Sequence, residues 1–326
     1  MGDSTLTVEV FLTAAQLRRA LEDDVRTGLS ATPKSLPPLW FYDEAGSQLF
    51  EEITRLPEYY PTRAERRLLT EHAGPIARLA GADTLVELGA GACDKTRLLL
   101  DAMRGVGRLE RYIPFDVSDD FLRDAAAGLI DEYEGLSVHA IVGDFRRHLD
   151  QIPTEGDRLV AFLGGTIGNL VPTERQRFLG RLNATMGAGD HLLLGADLVK
   201  DPATIVAAYD DSLGVTAAFN RNVLSVINHE LDADFVPDAF DHVALWNEEE
   251  RWIEMRLRSR RGQAVRVAVL DLDAEFEAGE DLLTEISAKF RAEQLEQELG
   301  AADFTVDAMW GQADGEFVLV LARPAR

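Results

Sequence analysis

The feature that most constrains the fold is a glycine-rich turn between an apolar run and a helical pattern. The run Thr84–Leu88 is apolar apart from Glu87, and Gly89 and Gly91 follow it. Residues 95–103 then show apolar side chains at helical spacing. Glycine lets a backbone turn sharply and lets a ligand approach closely, because it has no Cβ. A strand, a tight loop and a helix in this order predict an open α/β fold that binds a nucleotide-like cofactor at the carboxyl edge of its sheet.

The identity of the cofactor is indicated by what this loop lacks. The dinucleotide fingerprint needs a third glycine at position 94, which is Asp94 here, and no P-loop motif occurs in the chain. Glu87 would repel a diphosphate and attract a sulfonium or an amino acid cation. The loop therefore favours S-adenosylmethionine, and a helix-capping loop in another kind of α/β protein is the alternative.

Composition limits the class of protein. The chain has 326 residues, 46% hydrophobic and 28% charged, which is typical of a globular protein. Its net charge of −24 argues against a nucleic acid partner, because phosphates would meet a repulsive field. The six histidines include no H-x-x-x-H pair, so no metal site is predicted.

The cysteine count and the hydropathy pattern bear on the compartment. A single cysteine, Cys93, excludes an intramolecular disulfide and favours a reducing compartment. Cys93 lies in the cofactor loop, where it is either a nucleophile or a small packing residue. No apolar run of membrane-spanning length occurs, and the amino terminus has no apolar segment of the signal-peptide kind. We therefore expect a cytoplasmic protein, monomeric and without a membrane span.

The centre of the chain alternates strand and helix signals. The predicted strands are 84–88, 111–116, 136–142, 158–163 and 191–197, followed by a hairpin of 304–310 and 316–322 around a turn rich in Gly and Asp. Alternation of this kind predicts a parallel sheet with helices on both faces. We expect a Rossmann-like α/β sheet of seven strands, parallel with a terminal antiparallel hairpin.

Two segments interrupt this pattern and predict a second domain. Residues 1–62 show helical pattern and a dense aromatic and proline run, and residues 200–288 combine a helical stretch (210–228) with strand-like stretches (250–260 and 265–271). We expect a cofactor domain of residues 63–199 and 289–326, and an α+β substrate domain of residues 11–62 and 200–288. A cleft between them would hold the substrate.

Acidic residues end two of the predicted strands. Asp116 could accept hydrogen bonds from both ribose hydroxyls, or it could cap the following helix. Asp144 could accept the adenine amino group while the Phe145 ring covers the base, or the two could form a surface turn with a core phenylalanine. Both pairs of alternatives remain open from the residues alone.

The loop after the fourth strand resembles a hydrolase motif. Gly164–Gly168 matches G-x-S-x-G with Thr166 in place of serine. A nucleophile elbow strains its central residue, which a β-branched side chain tolerates poorly. We favour a glycine-rich loop that faces the substrate, with Asn169 as a neutral donor and acceptor.

Aromatic and polar residues of the second domain could form the substrate site. Tyr42, Tyr59 and Tyr209 offer ring faces that attract ammonium groups, although ordinary partial burial explains any single one. Glu285 and Ser287 would share one face of a strand. A carboxylate and a hydroxyl side by side could bind the two nitrogens of an imidazole, and an exposed strand edge is the alternative.

Longer strings of sequence carry a family resemblance over nearly the whole chain. The strings are 33–38 (PKSLPP), 40–43 (WFYD), 53–63 (ITRLPEYYPTR), the Glu87 loop, 113–117 (IPFDV), 162–170 (FLGGTIGNL), 197–201 (DLVKD), 209–211 (YDD), 216–222 (TAAFNRN) and 285–290 (EISAKF). With them the chain resembles the histidine Nα-methyltransferases of ergothioneine biosynthesis, which are class I S-adenosylmethionine-dependent methyltransferases. Ala90 and its neighbours differ from relatives with Ser, Thr or Glu in this loop.

The resemblance implies a role for each matching residue. It assigns the cofactor to Gly89, Lys95, Asp116, Asp144 and Phe145. It assigns the amino and carboxylate groups of the substrate to Tyr59, Gly164, Asn169 and Tyr209, its imidazole to Glu285 and Ser287 beside Met255, and the reacting amine to Tyr42 and Asn169. The expected reaction is threefold methylation of the α-amino group of L-histidine to hercynine. The alternatives are another amino acid or small amine as substrate, and a regulatory protein that binds S-adenosylmethionine without catalysis.

Overall fold

A computed structural model describes residues 4–91, 95–311 and 315–325 of the chain. Its strands, numbered along the chain, are β1 Thr5–Val10, β2 Lys34–Ser35, β3 Thr84–Leu88, β4 Arg111–Asp116, β5 Ser137–Val142, β6 Arg158–Phe162, β7 His191–Asp197, β8 Phe240–Asn247, β9 Trp252–Ser259, β10 Gln263–Val267, β11 Leu272–Phe276, β12 Asp281–Ala288, β13 Phe304–Gly311 and β14 Phe317–Pro324. Its α-helices are α1 Ala14–Ser30, α2 Glu44–Arg55, α3 Tyr60–Ala80, α4 Thr96–Gly105, α5 Asp119–Glu132, α6 Phe145–His148, α7 Pro172–Thr185, α8 Pro202–Tyr209, α9 Val215–Leu231 and α10 Ala292–Ala301.

The chain divides into two compact units. The first unit comprises Met1–Thr13, Ala64–Leu198 and Phe290–Arg326, and the second comprises Ala14–Arg63 and Val199–Lys289. The assignment of one domain to the cofactor and of the other to the substrate stays a prediction.

The first unit contains one large sheet in the order β1-β5-β4-β3-β6-β7-β14-β13. The strands from β1 to β7 in this order are parallel, and β14 pairs antiparallel with both β7 and β13. Every residue of β3 and β6 is buried, as expected for parallel strands covered on both faces. The predicted α/β sheet with a terminal antiparallel hairpin is confirmed.

The expected number of seven strands was wrong, because β1 adds an eighth strand to the described sheet. It pairs in parallel with β5, from Thr5 opposite Ser137 to Val10 opposite Val142. The helical pattern predicted for the first part of residues 1–62 does not hold for Thr5–Val10. The side chains of β1 are almost all exposed, so the strand has no alternation of buried and exposed residues that the sequence could reveal. Backbone hydrogen bonds to β5 stabilise β1 instead.

The second unit combines a mixed sheet with helices. Its four-stranded sheet has the order β2-β12-β9-β8, and β10 and β11 form a separate antiparallel pair. Its apolar core includes Phe41 from a one-turn helix, Phe219 and Val223 from α9, and Phe240 and Leu257 from the sheet. The first unit has a core of its own, which includes Leu68, Leu99, Tyr112 and Leu319.

Two boundaries in the second unit differ from the sequence prediction. The helix predicted for 210–228 begins only at Val215, because the Asp211 carboxylate accepts backbone N–H groups of Leu213, Val215 and Thr216 and holds a turn there. The strand predicted for 265–271 ends at Val267. A one-turn helix follows, and Asp271 after it is left-handed, with φ 50°.

No α-helix in the described part of the chain is long and apolar enough to cross a bilayer.

Candidate functional site

The glycine loop follows β3 at the carboxyl edge of the parallel sheet. Gly89 and Gly91 have φ of 74° and 50°, a backbone region that favours glycine. The Gly89 N–H donates to the Phe115 carbonyl at 2.8 Å, which ties the loop to β4. A Cβ at either glycine would meet no atom of the described residues within 4 Å, so among these residues the backbone faces open space where a ligand could approach. Cys93 and Asp94 lie outside the described residues.

Asp116 occupies the end of β4, next to this loop. Its Oδ2 accepts the Gly91 N–H at 3.2 Å, and its Oδ1 accepts the Ser118 N–H at 3.1 Å. Burial raises the pKa of the Asp116 carboxyl, and these backbone hydrogen bonds oppose the rise. A carboxylate has about four acceptor positions, so Asp116 can accept a further hydrogen bond. The residue thus braces the loop and retains the capacity to bind a ribose.

Asp144 and Phe145 follow β5 at the same edge. Asp144 is buried and caps the short helix α6 by accepting the Arg146 N–H at 2.8 Å. Phe145 is half-buried, with its ring centroid 5.3 Å from that of Phe162 and 5.7 Å from that of Phe178. The structure therefore shows the turn with a packed phenylalanine, and the partly exposed ring can still cover a base.

Glu87 is enclosed by the protein. Its Oε2 accepts hydrogen bonds from the Thr96 hydroxyl and, at 2.7 Å, from the Tyr112 hydroxyl. Burial raises the pKa of Glu87 to about 7, although these hydrogen bonds and the charge of Lys95 oppose the rise. Its attraction for a cationic ligand is therefore weaker at neutral pH than the sequence suggested, because the carboxyl is only partly ionised.

Glu65 on α3 is a site residue that the sequence did not reveal. It is fully buried, and it accepts hydrogen bonds from the Lys95 ammonium and, at 2.7 Å, from the Gly164 N–H. A Cβ at Gly195 on β7 would lie 2.1 Å from its Oε1, so any side chain there would displace the Glu65 carboxylate. Glu65 thereby connects the end of the cofactor loop with the loop after β6. The only sequence signal is an acid on the apolar face of a helix.

The loop after β6 contains Gly164 and Asn169. Gly164 is exposed with φ 78°, and Asn169 is half-buried at the end of a one-turn helix, Thr166–Asn169. The Thr166 hydroxyl donates to the Leu163 carbonyl at 3.0 Å. The left-handed residues are Gly164 and Gly165, which both precede Thr166, so the geometry does not resemble a hydrolase elbow.

The tyrosines of the second unit belong to one aromatic cluster. The Tyr42 ring lies 5.6 Å from those of Phe50 and Phe219. The Tyr59 ring lies 6.2 Å from those of Phe50 and Tyr209. Tyr59 and Tyr209 are buried, whereas 41% of Tyr42 is exposed. Such a cluster offers several ring faces to a cation.

Glu285 and Ser287 lie on β12 inside the same unit. Glu285 is half-buried opposite Met255 of β9, and Ser287 is buried opposite Ile253. The two residues share one face because strand side chains alternate. Because Ser287 is buried, it does not lie on an exposed strand edge. Its Oγ accepts the Tyr209 hydroxyl at 2.9 Å, which joins the polar pair to the aromatic cluster.

The structure thus groups the predicted site residues within each unit. Those of the first unit follow successive strands at one sheet edge: Gly89, Lys95, Asp116, Asp144, Phe145, Gly164 and Asn169. Those of the second unit surround β12 and the aromatic cluster: Tyr42, Tyr59, Tyr209, Met255, Glu285 and Ser287.

The comparison with protein families identifies the chain. Residues 21–324 match the model of the histidine-specific, S-adenosylmethionine-dependent methyltransferases. The chain belongs to this family. It is therefore an enzyme of the methyltransferase class whose cofactor is S-adenosylmethionine, as the sequence predicted.

Individual relatives agree with the family model. The histidine N-alpha-methyltransferase of Mycolicibacterium smegmatis is 56% identical over 318 residues, which cover 98% of this chain and 99% of the relative. The ergothioneine biosynthesis protein 1 of Neurospora crassa is 32% identical over 222 residues, 65% of this chain and 25% of that protein. A solved S-adenosylmethionine-dependent methyltransferase from Clostridium acetobutylicum superposes with a TM-score of 0.50 at 11% identity, over 86% of this chain and 99% of its own. This last likeness supports the class I methyltransferase fold alone.

Proposed function

We propose that the enzyme transfers three methyl groups to the α-amino nitrogen of L-histidine and releases hercynine, a step of ergothioneine biosynthesis. The match of residues 21–324 to the histidine-specific family carries this proposal. The match includes β12, so it covers Glu285 and Ser287, the pair with the chemistry to hold an imidazole.

In the first unit, we assign the cofactor to the residues at the carboxyl edge of the sheet. The open backbone at Gly89 leaves room for the amino acid part of the cofactor, and Lys95 offers a cation for its carboxylate. Asp116 would accept the ribose hydroxyls, Asp144 the adenine amino group, and Phe145 would cover the base. When bound, S-adenosylmethionine supplies an electrophilic methyl group on a sulfonium.

In the second unit, we assign the substrate side chain to Glu285, Ser287 and Met255. The carboxylate and the hydroxyl would each bind one imidazole nitrogen, and the buried Met255 would pack against the ring. Tyr59 and Tyr209 would bind the amino and carboxylate groups of the substrate. We assign the same groups to Gly164 and Asn169 of the first unit, where Asn169 would use its side-chain amide, because the Gly164 N–H already donates to Glu65.

Catalysis would rest mainly on positioning. The amine must lose its proton before it reacts, because an ammonium has no lone pair. Tyr42 and Asn169 would orient this amine, and alignment of the reacting atoms can lower a barrier by up to roughly 7–11 kcal/mol. The ring faces of the tyrosines would stabilise the cation that forms as methyl groups accumulate.

Mass spectrometry of L-histidine incubated with the protein and S-adenosylmethionine tests the proposal. We expect mono-, di- and trimethylated histidine to appear in turn. Methylation of another amino acid in competition with histidine would show that the enzyme performs the same reaction on a different substrate. Cofactor binding without any methylated product would point to a regulatory protein.

We also propose that the enzyme is a cytoplasmic monomer. The single cysteine supports the location, because proteins of a reducing compartment rarely contain disulfides. The net charge of −24 supports the monomer, because like charges disfavour self-association. Light scattering after gel filtration should give a mass near the 36.0 kDa of one chain. Twice that mass would contradict the monomer.

A further inference from the structure

A buried lysine completes the polar cluster around Ser287. Lys289 follows the end of β12, and only 2% of its surface is exposed. Its ammonium donates to the Ser287 hydroxyl at 2.9 Å and to the Tyr209 hydroxyl at 3.0 Å. It also lies 4.7 Å from the centroid of the Tyr209 ring. Lys289 therefore contacts two residues assigned to the substrate.

The hydrogen bonds in this cluster have a fixed direction. An ammonium only donates, and a serine hydroxyl has two acceptor lone pairs and one proton. Ser287 Oγ accepts from the Lys289 ammonium and also from the Tyr209 hydroxyl, at 2.9 Å each. Both acceptor positions of Ser287 are then filled. Its own proton is what remains for a ligand, so Ser287 can donate to a ligand and cannot accept from it.

We propose that Lys289 is a positioning and specificity-determining residue, which fixes Ser287 as a donor and so selects substrates with a neutral imidazole. This inference rests on the proposed function, in which Ser287 and Glu285 hold the imidazole. A neutral imidazole has one N–H and one acceptor nitrogen. Its N–H matches the Glu285 carboxylate, and its acceptor nitrogen matches the Ser287 hydroxyl.

The same cluster disfavours an imidazolium. Both nitrogens of the charged ring carry protons, and the second N–H would meet a serine oxygen whose lone pairs are occupied. The titratable and charged groups on the elements around β12 include Lys34 on β2, Tyr209 on α8, His242 on β8, and Glu254 and Arg256 on β9. His242 contacts the Tyr209 carbonyl at 2.8 Å, and Glu254 is paired with Arg256. Apart from Tyr209, which one variant below replaces, these groups are present in every variant, so their titration cancels when the variants are compared.

The test is the pH dependence of histidine affinity in the Lys289→Met variant. The dissociation constant of L-histidine is measured by calorimetry on protein saturated with S-adenosylhomocysteine, at about pH 5.5 and about pH 8. An imidazole pKa of about 6.5 predicts affinity about tenfold weaker at the lower pH for the wild-type protein. Lys289→Met frees a lone pair on Ser287, so the variant should tolerate the imidazolium. The affinity ratio is the dissociation constant at about pH 5.5 divided by that at about pH 8. We expect this ratio to be about threefold or less in the variant.

Three further variants separate this role from a general loss of structure. Lys289→Arg keeps the donors and should keep the wild-type ratio. Lys200→Met removes a matched lysine of the second unit, whose ammonium donates to the Tyr60 hydroxyl at 2.8 Å, and should also keep it. Tyr209→Phe removes the other donor to Ser287, so it should lower the ratio even if Lys289→Met does not fold.

The outcomes distinguish failure of the role of Lys289 from failure of the proposed function on which it rests. A wild-type ratio retained in both Lys289→Met and Tyr209→Phe would overturn the role of Lys289 while histidine remains the substrate. A uniform loss of affinity at both pH values would assign Lys289 a structural role and overturn the inference too. Failure of the wild-type protein to bind or methylate histidine would overturn the proposed function itself.

Discussion

Glu87 links the cofactor loop to the pH dependence of stability. Its pKa is about 7 in the folded protein, against 4.5 for the free side chain. Between pH 4.5 and about pH 7 Glu87 is more often protonated in the folded protein than in the unfolded chain. The contribution of protonated Glu87 to stability is therefore fully present below pH 4.5 and is lost as the pH rises through about 7.

Glu87→Gln should remove this dependence. The stability of the variant relative to the wild-type protein should rise by up to about 3 kcal/mol between about pH 5 and about pH 8, at 1.36 kcal/mol for each unit of pKa. Urea unfolding at the two pH values measures the difference. Glu296→Gln, at an exposed position of α10, is the matched control. A constant difference for Glu87→Gln would mean that the carboxyl titrates as in the unfolded chain.

Glu285 allows the substrate assignment to be tested apart from the cofactor. Glu285→Ala should weaken histidine binding by about 1.5–3 kcal/mol, roughly 10- to 100-fold, because a hydrogen bond to a charged group is lost. Binding of S-adenosylmethionine should not change. Calorimetry with each ligand measures both, and Glu275→Ala on β11 of the same unit is the exposed control. An equal loss of both affinities would remove Glu285 from the imidazole site.

At the scale of elements, close backbone contacts place the residues of the site. One such contact joins Gly46, in the first turn of α2, to the Phe41 carbonyl oxygen, which would lie only 1.7 Å from a Cβ at position 46. The Asn222 amide of α9 donates to the Asp43 carboxylate at 2.7 Å in the same region. These contacts fix the segment that carries Tyr42.

Gly46→Ala should therefore destabilise the protein by about 1–3 kcal/mol and displace Tyr42, because overpacking moves the backbone. Chemical unfolding measures the stability, and the KM for histidine reports the displacement. Gly180→Ala in the interior of α7 is the matched change, because a Cβ there meets no described atom within 4 Å, and it should be neutral or slightly stabilising. Equal effects of the two substitutions would show that helix propensity, and not packing, governs position 46.

At the scale of the whole molecule, the net charge of −24 acts on the cofactor from a distance. S-adenosylmethionine carries a net positive charge, whereas its product S-adenosylhomocysteine is neutral. The field of an acidic protein attracts a cation, and dissolved salt screens that attraction over about 10 Å at 0.1 M.

Salt should therefore weaken cofactor binding more than product binding. We expect the affinity for S-adenosylmethionine to fall about threefold between about 0.02 M and 0.3 M NaCl, while that for S-adenosylhomocysteine changes little. Calorimetric titrations with both ligands at each salt concentration provide the comparison. Parallel changes for the two ligands would show that the overall field has no part in cofactor affinity.

Local sequence pattern was sufficient to predict the strands whose residues are mostly buried. Thr84–Leu88, Arg111–Asp116 and His191–Asp197 have the predicted bounds, because each is a short run of mostly buried residues between turn signals. Pattern failed for β1, whose side chains are exposed, and for residues 210–214, where the Asp211 side chain replaces a helical turn.

The sequence by itself determined the parallel sheet with its hairpin, the cofactor class and the family, because these follow from local burial patterns and from residue types at fixed spacing. Only the tertiary structure decided the eighth strand, the connection of Lys95 and Gly164 through Glu65, and the direction of the hydrogen bonds at Ser287. Glu65 is 99 residues from Gly164, and Lys289 is 80 residues from Tyr209. Contacts between groups so far apart along the chain leave no periodic signal in it, because folding alone brings them together.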